Sequence, residues 1–197
     1  MSFMLRLSVA TSAFAVSSFV CAQVQAKPVV EVFSTAITEA EITQTERGWC
    51  AAVIAISDAY QSGGYEAGKA KAAAVIDTAY AYESGPVAFK PTYAIGDSTF
   101  RTTRQGALDY FVGPDPTIPE FRGKKLGFAT YRHWVKCEIK DYVVQLLGNT
   151  ANTMGMVILT DSQGQTAEPE KTWTFIREMD GSVRIVLHHS SAPFDAR

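Results

Sequence analysis

The last apolar stretch of the chain ends Leu187-His188-His189-Ser190-Ser191-Ala192-Pro193, which places two of the three histidines beside two hydroxyls. Imidazole titrates near neutrality and can move protons. A hydroxyl both donates and accepts hydrogen bonds. Together they suit the binding of a small polar species or a proton transfer. On an extended strand, neighbours face opposite sides and residues i and i+2 share one. His189 and Ser191 therefore fall in with Val183, Ile185 and Leu187, and His188 and Ser190 with Arg184 and Val186. The first row is the more apolar, so it is assigned to the interior. The plain alternative is a strand end with exposed polar residues.

Other chemistries find little support. A catalytic zinc needs about three protein ligands converging on one point. Beyond the N-terminal segment, the nitrogen and sulfur donors are His133, His188, His189, Cys50 and Cys137, with no H-x-E, C-x-x-C or H-x-x-x-H spacing among them. No G-x-S-x-G nucleophile elbow, phosphate loop or dinucleotide fingerprint is present. The formal charge of -2, from 18 basic and 20 acidic residues, excludes the basic stripe of a nucleic-acid binder and a polybasic membrane-surface protein.

The elements that must position these residues change period once. Thr38-Glu39-Ala40-Glu41 reads as a capping box, and Ile42, Trp49, Val53, Ile56 and Tyr60 follow at helical spacing. That helix should stop at Ser62-Gly63-Gly64, and a second, Ala-rich helix should cover 65–81. Val87 to Tyr93 is extended, with Pro91 placing it at an edge or bend. A short helix capped by Thr102 runs through Leu108 and Phe111 to Gly113-Pro114, and a Pro- and Gly-rich loop spans 114–127. Alternation from Tyr131 to Lys140 then opens a run of strands, at about 142–147, 153–160, 170–178 and 182–191. Helices followed by successive strands give an α+β fold.

The 197 residues make one domain, from 38 to the C-terminus, behind a linker at 27–37. Residues 1–26 carry a single charge, Arg6, an uncharged stretch from Leu7 to Val20, and small residues at Val24-Gln25-Ala26. This is the pattern of a secretory signal peptide cleaved after Ala26, or earlier after Ala22. The product is expected to be periplasmic or secreted and, after cleavage, to have no membrane partner. Cys50 and Cys137 would then remain. They can form one disulfide in an oxidising space or serve as two small buried hydrophobes; the second reading is favoured.

Four stretches carry a family resemblance: Phe89-Lys90-Pro91-Thr92, then Phe100 to Phe111 with its Gly106-Ala107-Leu108-Asp109-Tyr110-Phe111, then Met154-Gly155, and the terminal His188-His189-Ser190-Ser191-Ala192-Pro193. Their identity and order closely resemble the iota-class carbonic anhydrases, from about residue 38 to the end. The resemblance implies a nuclear-transport-factor-2-like (SnoaL-like) cone, with a curved antiparallel sheet wrapped around N-terminal helices, in a homodimer. It implies reversible hydration of carbon dioxide to bicarbonate in a metal-free pocket, although other members are described as using manganese or zinc. Carried over by motif, Thr92, Tyr110, His189 and Ser191 would be catalytic. Thr92, Tyr110 and Ser191 would hold bicarbonate, and His189 would take or relay the water proton. Phe89, Phe111 and Leu187 would form an apolar wall.

Two other functions compete with this one. A non-catalytic periplasmic binding module of the same fold predicts ligand binding without turnover. A different pocket enzyme, such as an isomerase, would need a carboxylate deep in the cone, with Asp109 or Glu138 the first suspects.

Overall fold

The computed structural model describes residues 34–94, 96–113 and 127–193. The segment expected to be a signal peptide, most of the expected linker and nearly all of the 114–127 loop lie outside the described residues.

The first helix, α1 (Glu39–Ala79), opens on the expected capping box: Glu41 N–H donates to Thr38 Oγ1, and Thr38 N–H donates to the Glu41 carboxylate. The break expected at Ser62-Gly63-Gly64 is a kink rather than an end. Gly64 alone leaves helical geometry, at φ 70°, where a side chain would be strained. The helix resumes beyond it and buries Ala72 and Ile76, as its first half buries Ile42, Trp49, Val53 and Ile56.

Strand β1 (Ala88–Lys90) follows, then a single 3₁₀ turn at Gly96–Ser98, then α2 (Arg104–Val112). The cap of α2 is Thr103, whose hydroxyl accepts from Gly106 N–H, one residue beyond the expected Thr102. Strands β2 (Trp134–Leu147), β3 (Thr150–Asp161), β4 (Thr166–Ala167), β5 (Glu170–Arg177) and β6 (Val183–Ser191) complete the order.

The sheet runs β1-β6-β5-β3-β2, with β4 pairing on β3. The expectation of a purely antiparallel sheet is corrected: β1 joins β6 in parallel, pairing Phe89 with His188. The fold is the expected α+β cone, and its core lies between α1 and the inner sheet face, where Leu159, Trp173, Phe175 and Ile185 are buried.

Three irregularities bend the sheet and reset which residues face inward. In β2, the register skips Val135 and Tyr142. In β6, Thr174 pairs with Leu187 and Phe175 with Ile185, so Val186 is the extra residue. Cys50 of α1 and Cys137 of β2 form a disulfide with Cα atoms 5.3 Å apart, which overturns the favoured reading of two unpaired hydrophobes.

Candidate active site

The Val186 bulge decides which residues reach the interior. Before it, the inward residue is Ile185; after it, the inward residues are His188 and Ser190. His188 is 4% exposed and Ser190 7%, whereas His189 is exposed and Ser191 half-buried on the opposite face. The expected facing of His189 and Ser191 is therefore reversed. Strict alternation holds only while the ladder is regular, and one bulged residue moves every later side chain to the other face. Leu187 turns away with them, and Phe89 and Phe111, expected to form an apolar wall, are fully buried in the core.

Two adjacent rows of residues across the inner face build the site. In the first, Thr153 pairs with Trp173, Trp173 with His188, and His188 with Phe89. The His188 ring stacks on Phe89 at 4.6 Å between centroids and meets Trp173 edge-on at 5.2 Å. In the second, Asp141 pairs with Gly155, Gly155 with Lys171, and Lys171 with Ser190. Gly155 is obligatory there, because a Cβ would strike the Lys140 carbonyl and the Asp141 backbone beside the Tyr142 bulge.

A narrow pocket lies over these rows, lined among others by Thr92, Tyr110, Phe128, Lys171, His188 and Ser190. Thr92, just past β1, donates from its hydroxyl to Ser190 Oγ at 2.9 Å. Tyr110 comes from α2 and is held edge-on to Phe89 and stacked on Phe128. Burial pushes its phenol well up, opposed by a hydrogen bond with the Tyr93 backbone, so it stays protonated. Of the four residues expected in the site, Thr92 and Tyr110 line this pocket; His189 and Ser191 border a shallow hollow on the outer face with Tyr142, Met154 and Glu170. Of the two competing carboxylates, Asp109 takes a hydrogen bond from Gln105 on α2, and Glu138 is an exposed partner of Lys136.

Behind His188 stands a buried relay of hydrogen bonds. Trp49 Nε1–H donates to Tyr80 Oη at 3.0 Å, and Tyr80 Oη lies 2.9 Å from His188 Nδ1. Indole can only donate, so the Tyr80 proton goes to Nδ1 and the neutral ring carries its own proton on Nε2. Burial, then the charges of Lys171 and His189, lower the His188 pKa to about 3. The ring is thus a neutral hydrogen-bond donor at physiological pH.

Beside Ser190, Lys171 is fully buried and pairs with the Glu46 carboxylate. Its Nζ also reaches Thr153 Oγ1 at 3.0 Å and Asp141 at 2.7 Å, and sits 4.2 Å from the centroid of Trp173. Sequence reasoning passed over His188 and Ser190 through the bulge, and Glu46 and Lys171 for want of a motif. A signal existed for the last two. Glu46 follows Ile42 by four residues on the apolar stripe of α1, and Lys171 alternates in phase with Trp173 and Phe175. A charge at a core position implies a buried partner.

Among the described residues, no three His, Cys, Asp or Glu side chains gather as a metal site. Residues 40–192 match the profile of the metal-independent carbonic anhydrase family. A metal-independent carbonic anhydrase of Nostoc sp. (strain PCC 7120 / SAG 25.82 / UTEX 2576) is 48% identical over 164 residues, covering 83% of this chain and 78% of that protein. The crystal structure of a cyanobacterial iota-carbonic anhydrase complexed with bicarbonate superimposes with a TM-score of 0.77 at 47% identity, covering 85% of this chain and 99% of the other. The chain belongs to the metal-independent, iota-class family of carbonic anhydrases.

Proposed function

We propose that the pocket beneath β6 catalyses the reversible hydration of carbon dioxide to bicarbonate without a metal, with Thr92, Tyr110, His188 and Ser190 as the reacting surface. The observation that carries this reading is the convergence of those four side chains, from three distant stretches of chain, on one pocket. Thr92 donates to Ser190 Oγ, so the Ser190 proton is free for a ligand. Ser190, Tyr110 and the Nε2–H of His188 are then three donors. Thr92 Oγ1 retains lone pairs for the hydroxyl of bicarbonate.

Uncharged carbon dioxide enters against Phe128 and the buried rings. As water attacks the carbon, negative charge grows on the two oxygens, and fixed donors in a dry site stabilise it. The products are bicarbonate and one proton. His188 does not act as the base, because its ring resists protonation down to about pH 3. A donor-only site lacks the potent nucleophile of a zinc hydroxide, so turnover is expected to be modest.

Stopped-flow hydration by the chain lacking residues 1–26, in excess chelator, tests this. Undiminished catalysis is the expected result. Activity lost on chelation and restored by zinc or manganese would overturn the metal-free mechanism, and inactivity under every metal condition would overturn the enzymatic role.

The same reading includes export to an oxidising compartment, supported by the leader pattern at 1–26 and the Cys50–Cys137 disulfide. It also includes a homodimer through the outer sheet face. Tyr142, Val143, Leu147 and Met154 stand exposed there and offer an apolar patch for a second copy. Fractionation of the native host and light scattering of the purified chain check these two points.

A further inference from the structure

Bicarbonate is an anion, and negative charge grows on the carbon dioxide oxygens before it forms, yet the donors facing the pocket are neutral. Thr92, Tyr110 and Ser190 offer hydroxyls, and the His188 ring carries no charge at physiological pH. The charged residue in the lining, Lys171, already has its ammonium matched by the Glu46 and Asp141 carboxylates, and it meets Thr153 besides. An anion buried without a countercharge is costly, so a cation is needed close by.

Lys90 stands in that position. The β1–β6 ladder ends at the Lys90–His189 pair, and Pro91 beyond it has no N–H to carry the ladder on. The Lys90 ammonium reaches across the strand end and donates to the Ser190 carbonyl at 3.0 Å. Two residues further along, the Thr92 hydroxyl donates to Oγ of the same serine at 2.9 Å. Ser190 is thus gripped twice by one short segment, through its carbonyl by a cation and through its pocket-lining hydroxyl by a neutral donor.

The charge of Lys90 is uncommitted. Among the described residues, no carboxylate lies within ion-pair distance of it. The carbonyl it touches is a dipole and leaves the net charge in place. Its side chain is half-buried, so salt and water screen it less than a surface lysine. Arg101 is the other cation felt in the site. On the Tyr110 phenol, however, burial dominates and the charge of Arg101 is the weakest influence.

We propose that Lys90 is a positioning residue that supplies the countercharge of the reaction, acting from behind Ser190 on bicarbonate and on the anionic transition state. This rests on the pocket being the site of hydration. Lys90 stays an ammonium throughout and neither gains nor gives up a proton. Carbon dioxide is uncharged and gains nothing from it on binding, whereas the transition state and bicarbonate both do. The equilibrium constant is fixed, so kcat/KM for hydration and for dehydration must change by the same factor.

A pair of adducts of equal length separates charge from hydrogen bonding. In the chain lacking residues 1–26, Lys90→Cys adds the one thiol outside the Cys50–Cys137 disulfide. Alkylation with bromoethylamine rebuilds an ammonium at the place of Nζ, and alkylation with iodoacetamide puts a neutral amide N–H there. The unmodified variant is expected to lose about tenfold in kcat/KM in both directions and about tenfold in calorimetric bicarbonate affinity. The aminoethyl adduct should return to within about twofold of the parent, and the amide adduct should remain low. Equal recovery by both adducts, recovery by neither, or an unmodified variant as active as the parent would overturn the proposal.

Should Lys90→Cys not fold, Lys90→Arg and Lys90→Gln carry the same contrast. The first keeps the charge and should stay near the parent, and the second should lose about tenfold. Loss of the same size in Arg101→Gln with Lys90→Gln unaffected would overturn the assignment and move the countercharge to the α2 side. Failure of the hydration site itself is distinguishable, because it would appear as absent bicarbonate binding in the parent protein.

Discussion

His188 and His189 are adjacent in the chain and occupy opposite physical worlds. His188 is sandwiched between Phe89 and Trp173 with its Nδ1 locked by Tyr80. His189 stands exposed on the outer sheet face near Tyr142, Met154 and Glu170. Ser190 and Ser191 repeat the contrast: the first accepts from Thr92 in the pocket, and the second donates to the exposed Glu170 at 2.7 Å. Residue type is thus constant across the pair and environment is not. Burial and a fixed partner convert an ordinary imidazole into a neutral donor of defined tautomer. The bulge at Val186 selects which copy of each residue receives that treatment.

The widest separation between the two faces should appear in turnover. His188→Ala removes a donor aimed at the developing charge and is expected to lower kcat/KM by on the order of 10²-fold, the scale of one lost oxyanion donor. His189→Ala should stay within about twofold, as expected of an exposed substitution away from the site. Stopped-flow hydration of both variants checks this, and the opposite ranking would move the chemistry to the outer face.

Acid should act on the inner histidine through stability. Its folded pKa of about 3 lies below the ordinary 6.5, so the unfolded chain binds a proton that the folded ring refuses. By linkage, His188 costs stability progressively as pH falls from about 6.5 toward 3. Melting curves taken across that window should decline less steeply for His188→Asn than for the parent. If the slopes coincide, the ring is not held neutral.

How much of this was legible in the sequence depends on the regularity of each ladder. The capping box at Thr38 follows local chemistry and appears as expected, while the Gly-rich break after it appears as a kink at Gly64 within one helix. Thr92 and Tyr110 sit on short elements fixed by Pro91 and by the Gly106-Ala107-Leu108 run, and the pocket receives both. The inner residues of β6 could not be read from alternation, because nothing in Val183 to Leu187 marks Val186 as the bulged residue. The bulge shows only in the pairing of β6 with β5, which is tertiary information. In β2, the Val135 bulge likewise leaves Trp134 buried and Val135 exposed, and His133, just before the strand, is a partly exposed partner of Asp58 at 2.8 Å. The Glu46–Lys171 pair was visible as two charges at apolar positions 125 residues apart, and only the fold joins them.

The lock on the inner ring gives a smaller and sharper comparison. Tyr80→Phe keeps the aromatic packing and deletes the oxygen that accepts from Trp49 and donates to His188. Two buried polar groups then lose their partner, so stability should fall by about 1–3 kcal/mol. The ring also becomes free to carry its proton on Nδ1, which turns an acceptor toward the pocket, and kcat should fall while bicarbonate still binds. Ring-nitrogen NMR should report Nε2–H in the parent and a mixture in the variant. A variant with the parent's tautomer would assign the lock to Phe89 and Trp173 instead.

The serine pair provides the finest contrast, because hydroxyl loss changes little volume. Ser190→Ala strands the Thr92 hydroxyl, which points into a half-buried site, and should cost about 1 kcal/mol. Ser191→Ala breaks a bond to a carboxylate that water can replace, and should fall within about 0.5 kcal/mol of the parent. Denaturant midpoints resolve a difference of this size when the slopes agree. The inner substitution should also weaken bicarbonate binding, since Ser190 supplies one of three donors and orients Thr92 as the acceptor. The outer one should leave binding intact. Equal effects would mean that the two faces of β6 differ in burial without differing in function, and the bulge would then be a device of sheet curvature alone.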